Sequence, residues 1–346
     1  MILLREASEP DLDDLVALSR LAAEFHPGFL NIVNDRDQWK EKIKLSTDSF
    51  ADKIADKMDA KYVFVADDLA KKRVVGVSMV SARHGTPEVP HFFLEVGTER
   101  KFSQTLNTGF IHGTLKLKYD IDGLTEIGGL LIDPQYRHTQ ARAGRQISFV
   151  RFLYMGAHKT KFRKRVIAEL LPPLTKKGKS SLWEAVGRRF TGLDYPEADA
   201  LSLKNKEFIL SLFPSQKIYV TFLPAEARNA IGKVSKDTEP VLHMLKKIGF
   251  KYRNQVDPFD GGPHLTAGFD EIAPIRKTKT YAYGGSGSPA GAAEASGLLA
   301  PVVKGSRFIA LACDIKIQNQ KAFFPTHAAA ALGLKAGDQI WFMPYY

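Results

Sequence analysis

The stretch LTEIGGLLIDPQYR (residues 124–137) carries the strongest structural signal in the chain. Its apolar run favours a buried strand, which Asp133 and Pro134 end, because proline lacks the N–H that a sheet requires. The next residues, RHTQARAG (137–144), are basic and loop-like, and RQISFVRFLYMGAHKTKF (145–162) has helical apolar spacing. The pattern therefore predicts a strand, an arginine-rich loop and a helix in direct succession.

The residues before this stretch predict a strand, a helix and a β-hairpin. ILLREASEPDLDDLVALSRLAAEF (2–25) begins as a strand, and Asp11 then precedes apolar residues at near-helical spacing, as a helix N-cap does. YVFVADD (62–68) and VVGVSMVSARHG (74–85) are β-rich runs joined by a short polar turn, and FFLEVGT (92–98) is a further strand.

The residues after it predict a second, related half and a separate C-terminal unit. RVIAELL (165–171) is a strand, and SSLWEAVGRRF (180–190) and PVLHMLKKIGFKYRN (240–254) each contain a helix near a glycine, a recurrence that favours duplication. YAYGGSGSPAGAAEASG (281–297) is rich in small residues and predicts a flexible linker. We therefore expect units at 1–190 and 191–275, a linker at 276–297 and a small β-rich barrel at 298–346.

Composition limits the class of protein. Hydrophobic residues make up 44% and charged residues 25% of the 346 residues, as in ordinary globular proteins. No apolar run approaches the roughly 20 residues of a membrane span, and the N-terminus lacks a secretory pattern, so we expect a cytoplasmic protein. Cys313 is the single cysteine, which excludes an internal disulfide. The net charge of +11 suits a polyanionic small molecule, a nucleic acid or an anionic membrane.

The predicted order of elements resembles that of the GNAT superfamily of N-acyltransferases. The resemblance implies an α+β fold, a mixed sheet flanked by helices that binds acyl-CoA, with a duplicated half and the C-terminal barrel as additions. In that superfamily, an Arg/Gln-x-x-Gly-x-Gly/Ala loop and the following helix N-terminus bind the CoA pyrophosphate, because unpaired N–H groups face the anion. Here the loop matches at Ala143 and Gly144, with an insertion. We expect Arg137, Arg142, Gly144 and Arg145 to bind CoA; a basic surface turn is the alternative.

Several segments resemble arginine N-succinyltransferases, in the same order along the chain. They include LLIDPQYR, LWEAVGRRFTGLDYPEADAL, YVTFLPAEARNAIGKV, DPFDGGP (257–263) and GLKAGDQI. The resemblance implies succinyl transfer from succinyl-CoA to the α-amine of L-arginine, with no permanently bound cofactor, in a homo- or hetero-oligomer. Asp260 lies in the DPFDGGP run and either contacts the substrate or forms a tight turn. FHPGFLNIVNDRDQW (25–39), near the expected acceptor site, departs from the family and retains at most Gly28 and Leu30.

Two glutamates are the candidate polar residues of the reaction, and both positions are acidic in the family that the chain resembles. Glu126 lies on the central strand and Glu169 on the next. We expect Glu126 to accept the proton of the attacking amine and Glu169 to bind the substrate, although either could hold a guanidinium or form a buried ion pair. The backbone N–H groups of Leu131 and Ile132 are expected to stabilise the oxyanion.

The nine histidines lack metal-ligand spacing, so no metal site is expected, and His91, His112 and His138 are minor candidates. Two alternatives stay open. One is an acyltransferase of the same fold with another acyl-CoA or amine. The other is a non-catalytic basic binding protein, although we expect no nucleic acid or membrane partner.

Overall fold

The computed structural model describes residues 1–25, 35–137, 139, 142–175, 177–202, 205–287, 289–302 and 307–345. His138, Gly28 and Leu30 lie outside the described residues. The fifteen strands of the described residues join in one continuous sheet. They are β1 (Ile2–Glu6), β2 (Lys61–Asp68), β3 (Arg73–Ser81), β4 (His91–Ser103), β5 (Thr108–Asp120), β6 (Thr125–Ile132), β7 (Arg165–Glu169), β8 (Ile218–Tyr219), β9 (Lys251–Val256), β10 (Pro263–Gly268), β11 (Lys279–Tyr283), β12 (Ala293–Pro301), β13 (Ile309–Gln318), β14 (Lys321–Phe323) and β15 (Gln339–Pro344).

Helices cover the sheet. Those in the described residues are α1 (Leu12–Phe25), α2 (Arg36–Phe50), α3 (Ala143–Ala157), α4 (Ser181–Ala185), α5 (Gly187–Thr191), α6 (Tyr195–Ser202), α7 (Glu207–Leu212), α8 (Ala225–Ala230), α9 (Glu239–Lys247), α10 (Ala273–Lys277) and α11 (Thr326–Ala331). Within these ranges, no helix has the length and apolarity needed to cross a membrane. The α+β class, with a mixed sheet flanked by helices, is confirmed.

The N-terminal elements follow the predicted order. Asp11 immediately precedes α1, and its carboxylate accepts two hydrogen bonds of 2.7 Å from the guanidinium of Arg5 in β1. The apolar face of α1 packs against β2 and β3, and the buried Trp39 of α2 donates its indole N–H to Ser19 at 2.9 Å. The β2–β3 hairpin pairs from Lys61 opposite Ser81 to Asp68 opposite Arg73, with a register shift between Ala66 and Asp67. These contacts fix the sheet on which the central strand lies.

The central strand β6 separates from its parallel neighbour β7. The two strands pair only at Thr125 and Glu126, so their carboxyl ends diverge and leave a cleft. On the other edge, the β3–β6 pairing shifts register, and Gly129 adopts a φ of +57° there. A Cβ at Gly129 would lie 2.8 Å from Cγ of Met79, so a larger residue would force this bulge to move. Helix α3 covers the sheet, and every residue from 146 to 156 is buried.

A second core lies beyond β7. Strands β10 and β9 continue the sheet to the long β4–β5 hairpin, and helices α4 to α8 pack on this part of the molecule around Trp183. Helix α9 leads through Gly249 and Phe250 into β9, whereas residues 181–191 form two short helices that no strand follows directly. The division at residues 190 and 275 into two related units stays a prediction.

The C-terminal strands form a closed barrel. Strands β12, β15, β11, β14 and β13 pair in that order, and β12 also pairs with β13, which closes the ring. Strand β13 pairs in turn with β1 and so joins the barrel to the main sheet. Strand β11 and the first half of β12 lie within the stretch 276–297 that composition predicts as a linker. Tyr281 and Tyr283 favour a strand, and the described residues between β11 and β12 are 284–287 and 289–292.

Candidate active site

A cavity of about 700 Å³ occupies the cleft between β6 and β7. Its walls come from residues 127–132 of β6, residues 168–171 at the end of β7, the basic loop with the start of α3, and residues 235–245 around α9. The predicted residues that line it are Leu131, Ile132, Arg137, Arg142, Gly144, Arg145 and Glu169. The fold thus brings residues predicted from separate motifs to one cavity.

The basic loop forms one end of this cavity. Arg142 adopts a φ of 48° directly before the first residue of α3, so the backbone turns into the helix at the cavity wall. Arg137 and Arg142 are exposed at this wall, and Gly144 lies in the first turn of the helix. The guanidinium of Arg145 lies 4.1 Å from the ring centre of Tyr345, and burial lowers the pKa of this arginine. Tyr345, which directly follows the barrel strand β15, therefore supports the wall of the cavity.

The amides of Leu131 and Ile132 point to opposite sides of β6. Asp133 donates its backbone N–H to Val75 at 2.9 Å, and the β3–β6 register continues back from this pair. Hydrogen-bonded and non-hydrogen-bonded pairs alternate along antiparallel strands. The N–H of Leu131 is therefore directed at β3 and that of Ile132 at the cleft, so Ile132 is the better placed of the two predicted donors.

Glu126 is held by a histidine that sequence analysis did not select. Nδ1 of His84 lies 3.0 Å from Oε2 of Glu126, and Nε2 of the same ring lies 3.6 Å from Oε1 of Glu169. His84 therefore bridges the two predicted carboxylates. Burial opposes ionisation of Glu126, but the adjacent His84 outweighs it and lowers the pKa of Glu126. Burial also opposes ionisation of His84 and so lowers the pKa of its imidazole. The charge and hydrogen bond of Glu126 outweigh burial, and the pKa of His84 is raised overall.

Glu169 has two more imidazoles around it. Its Oε1 lies 2.9 Å from Nε2 of His91 and 3.8 Å from Nε2 of His264, which pairs with it in the β7–β10 register. Burial opposes ionisation of Glu169, but His264, His91 and His84 together lower its pKa well below the usual value. His264 is 0% exposed, and burial lowers its pKa to about 4, so its ring is neutral at pH 7.

The DPFDGGP run lies beside this cluster as a tight turn. Oδ1 of Asp260 accepts the N–H of Gly262 at 2.7 Å, and Oδ1 of Asp257 accepts that of Phe259 at 2.7 Å. Burial, with the nearby charge of Glu169, raises the pKa of Asp257 to about 7, and burial together with Asp257 raises that of Asp260 well above its usual value. The turn alternative for Asp260 therefore has direct geometric support.

The same cluster contains the groups that could hold a metal ion. Ligand atoms of His84, His91 and Glu169 lie within 4.8 Å of one another, as do those of Glu169, Asp257 and His264. Hydrogen bonding does not account for this convergence: within the described residues, Oε1 of Glu169, Nε2 of His91 and both ring nitrogens of His264 are buried without a hydrogen-bond partner. Of the other predicted histidines, His112 contacts Thr221 at 3.1 Å and does not join the cluster.

Four residues of the site were not selected from the sequence: His84, His264, Asp257 and Arg151. His84 lies far from the other two in the chain and only the fold brings it to them, whereas Asp257 and His264 lie at the two ends of the DPFDGGP turn. Arg151 lies in the helix that the sequence predicts. An arginine in a helix is usually exposed to solvent, but Arg151 is only 2% exposed. A charged residue within a helix that is otherwise apolar was the available signal.

Comparison with known proteins gives consistent matches along the chain. The family model for the arginine N-succinyltransferase beta subunit matches residues 2–274. The arginine N-succinyltransferase of Yersinia enterocolitica is 31% identical over 98% of this chain and 96% of its own length, and that of Photorhabdus laumondii is 30% identical over 98% and 97%. The solved structure of arginine/ornithine succinyltransferase subunit AI from Pseudomonas aeruginosa has a TM-score of 0.83 at 26% identity, covering 99% of this chain and 98% of that chain. The structural match thus extends through the barrel, beyond the end of the family model.

Proposed function

The chain belongs to the arginine N-succinyltransferase family, and on this premise we propose that it transfers the succinyl group of succinyl-CoA to the α-amine of L-arginine. One observation supports this most directly: an arginine-lined cavity and a carboxylate-rich cluster meet at Glu169. The first suits the phosphates of CoA, and the second suits an acceptor that carries a guanidinium and an ammonium group.

The donor end of the site is the basic loop with the N-terminus of α3. Arg137, Arg142 and Arg145 supply positive charge, and the start of α3 at Gly144 adds the positive end of the helix dipole for the pyrophosphate. The cleft between β6 and β7 then takes the extended part of the coenzyme. Acyl-CoA is a co-substrate in this proposal, and it leaves after each turnover.

Neutralising Arg137, Arg142 and Arg145 together, each to glutamine, should weaken CoA binding about 10- to 100-fold and leave the fold intact. Charged hydrogen bonds are each worth about 1.5–3 kcal/mol, and exposure reduces their net effect. Isothermal titration calorimetry with CoA measures the change, and circular dichroism checks the fold. Three exposed arginines elsewhere, Arg100, Arg228 and Arg253, provide a variant with the same loss of charge. CoA affinity that falls equally in both triple variants, or in neither, would make the loop a basic surface turn.

The acceptor end carries more negative than positive charge. Glu126 and Glu169 have histidine partners, and within the described residues no arginine or lysine forms an ion pair with them or with Asp257 or Asp260. Carboxylates would hold a guanidinium placed here. Its positive charge would favour the ionised form of Asp257 and so lower the raised pKa of that residue. Ornithine is a second candidate acceptor, because the solved relative is named as an arginine/ornithine succinyltransferase.

In the proposed reaction, the acceptor amine attacks the thioester directly in a ternary complex. The α-ammonium first gives a proton to His84, which Glu126 orients through Nδ1. The amine nitrogen then bonds to the thioester carbon, and backbone N–H groups on the cleft side of β6 stabilise the oxygen that becomes negative. When the C–S bond breaks, the nitrogen loses its second proton and CoA, which leaves as a thiolate, takes that proton up, so the amide product forms without a covalent enzyme intermediate.

We place the protein in the cytoplasm as an oligomer. A single cysteine without a disulfide partner suits a reducing compartment. At the end of the β4–β5 hairpin, the large apolar residues Phe102, Leu106, Phe110 and Ile111 are each more than half exposed, as is Phe222 after β8. An exposed group of this kind is typical of an interface, here with a further copy or a related subunit.

The mass and the site of acylation of the product test the proposed reaction. Incubation with succinyl-CoA and L-arginine should give a product heavier than arginine by one succinyl group, and fragmentation by mass spectrometry should place that group on the α-nitrogen. A product acylated on the guanidinium would overturn the assigned orientation of the acceptor.

A further inference from the structure

A buried arginine on the cavity wall has no counter-ion. Arg151 lies in the middle of α3, is 2% exposed and lines the cavity. Within the described residues, no carboxylate lies in ion-pair distance of it, and burial alone lowers its pKa to about 9, so it still carries its charge at pH 7. Removing a guanidinium from water without a partner is costly, and such a group calls for an explanation.

Hydrogen bonds hold the guanidinium of Arg151 in place but do not use all of its N–H groups. Its Nε donates to the carbonyl of Ser148 at 3.0 Å, one Nη to the hydroxyl of Ser148 at 2.9 Å, and the other Nη to the carbonyl of Gly128 at 3.3 Å. A guanidinium has five N–H groups. One N–H on each Nη is therefore without a partner among the described residues, which is the number that a bidentate carboxylate needs.

The position of Arg151 is near the reactive end of the cavity. Its contact with Gly128 lies two residues after Glu126 on β6, close to where β6 and β7 begin to diverge. Along α3, Arg151 is on the order of 12 Å from the helix N-terminus at Ala143, at 1.5 Å per residue. The phosphates bind at the helix start in the proposed reaction, so the charge of Arg151 is available to the acyl end of the coenzyme.

We propose that Arg151 binds the distal carboxylate of the acyl group and thereby selects CoA thioesters of short dicarboxylic acids. This inference rests on the proposed function for the acyl-CoA donor, but not on the identity of the acceptor. Ser148 acts as a positioning residue, because it accepts two of the three hydrogen bonds that hold the guanidinium.

Binding measured without acceptor tests this inference. In the full-length protein, calorimetry should show succinyl-CoA binding about 10- to 100-fold more tightly than acetyl-CoA, which is the range of a charged hydrogen-bonded pair. In Arg151→Met this preference should disappear, while the affinity for acetyl-CoA stays within a few-fold of the wild type. Arg253→Met, which removes an exposed arginine, should keep the preference.

The outcomes separate the two proposals. A wild type that binds both thioesters equally, or an Arg151→Met variant that keeps the preference, would overturn the role of Arg151 and leave acyl transfer standing. An equal loss of both thioesters would make Arg151 structural. Failure of the wild type to bind any CoA thioester would refute the proposed function itself. If Arg151→Met does not fold, Ser148→Ala is the second variant: it should reduce the preference for succinyl-CoA, and an unchanged preference would overturn the inference.

Discussion

Glu126→Gln should lower kcat for succinyl transfer about 10²- to 10⁴-fold, the usual range for loss of general-base catalysis, with little change in the KM for arginine. The amide cannot hold His84 as a proton acceptor, because the carboxylate that raises the pKa of the imidazole is gone. Raising the pH should restore part of the rate, since it deprotonates the amine without assistance. Steady-state kinetics across a pH series measures both effects.

His84→Gln should give a loss of the same size. If the two residues act as one unit, the double variant should be little worse than either single variant. His327→Gln removes an exposed histidine in the barrel and should leave kcat unchanged. A loss that appears mainly in the KM for arginine, without rescue at high pH, would instead show that Glu126 binds the guanidinium.

The direction of the pH dependence follows from His84. The imidazole accepts a proton only when neutral, so kcat should rise as pH rises through its pKa, which Glu126 holds above the usual histidine value. In Glu126→Gln the pKa of His84 should fall. The acid limb of the remaining activity should therefore move to lower pH, and a limb that does not move would exclude His84 as the titrating group.

Glu169→Gln should raise the KM for arginine about 10- to 100-fold, with a smaller change in kcat. Loss of one charged hydrogen bond costs about 1.5–3 kcal/mol, and about 1.4 kcal/mol corresponds to a tenfold change in affinity. High pH should not restore binding, because the guanidinium keeps its charge. Glu226→Gln, at an exposed position on α8, is the matched control. Near-normal kinetics in Glu169→Gln would make this glutamate a structural partner of His91 and His264.

The main elements of the fold were predictable because each has a local signal. The β6 strand, its end at Asp133, and the following helix are encoded by an apolar run, a turn pair and helical spacing. The loop arginines and Glu169 could be assigned to one cavity because successive parallel strands place their carboxyl ends at the same edge. The barrel was also predictable from its short β-rich runs.

The rest depends on contacts that no local pattern records. His84, His91 and His264 meet only because β3, β6, β7, β10, β9 and β4 lie side by side in the sheet in that order, which differs from their order in the sequence. The direction of the Leu131 amide depends on the register with β3, which shifts at the bulge. Composition predicts a linker where β11 lies because the small residues that follow Tyr283 dominate the local sequence. The cluster of His84, His91 and His264 shows that histidines without metal-ligand spacing in the sequence can still meet in the fold.

Thiol release from acyl-CoA, followed with a thiol reagent as a function of both substrates, tests acyl transfer most directly. With L-arginine as acceptor, the wild type should release CoA from succinyl-CoA with a higher kcat/KM than from acetyl-CoA, and release should depend on the presence of arginine. Equal or faster release from acetyl-CoA would contradict the succinyl assignment. Absence of release from any acyl-CoA with either arginine or ornithine would contradict the account as a whole.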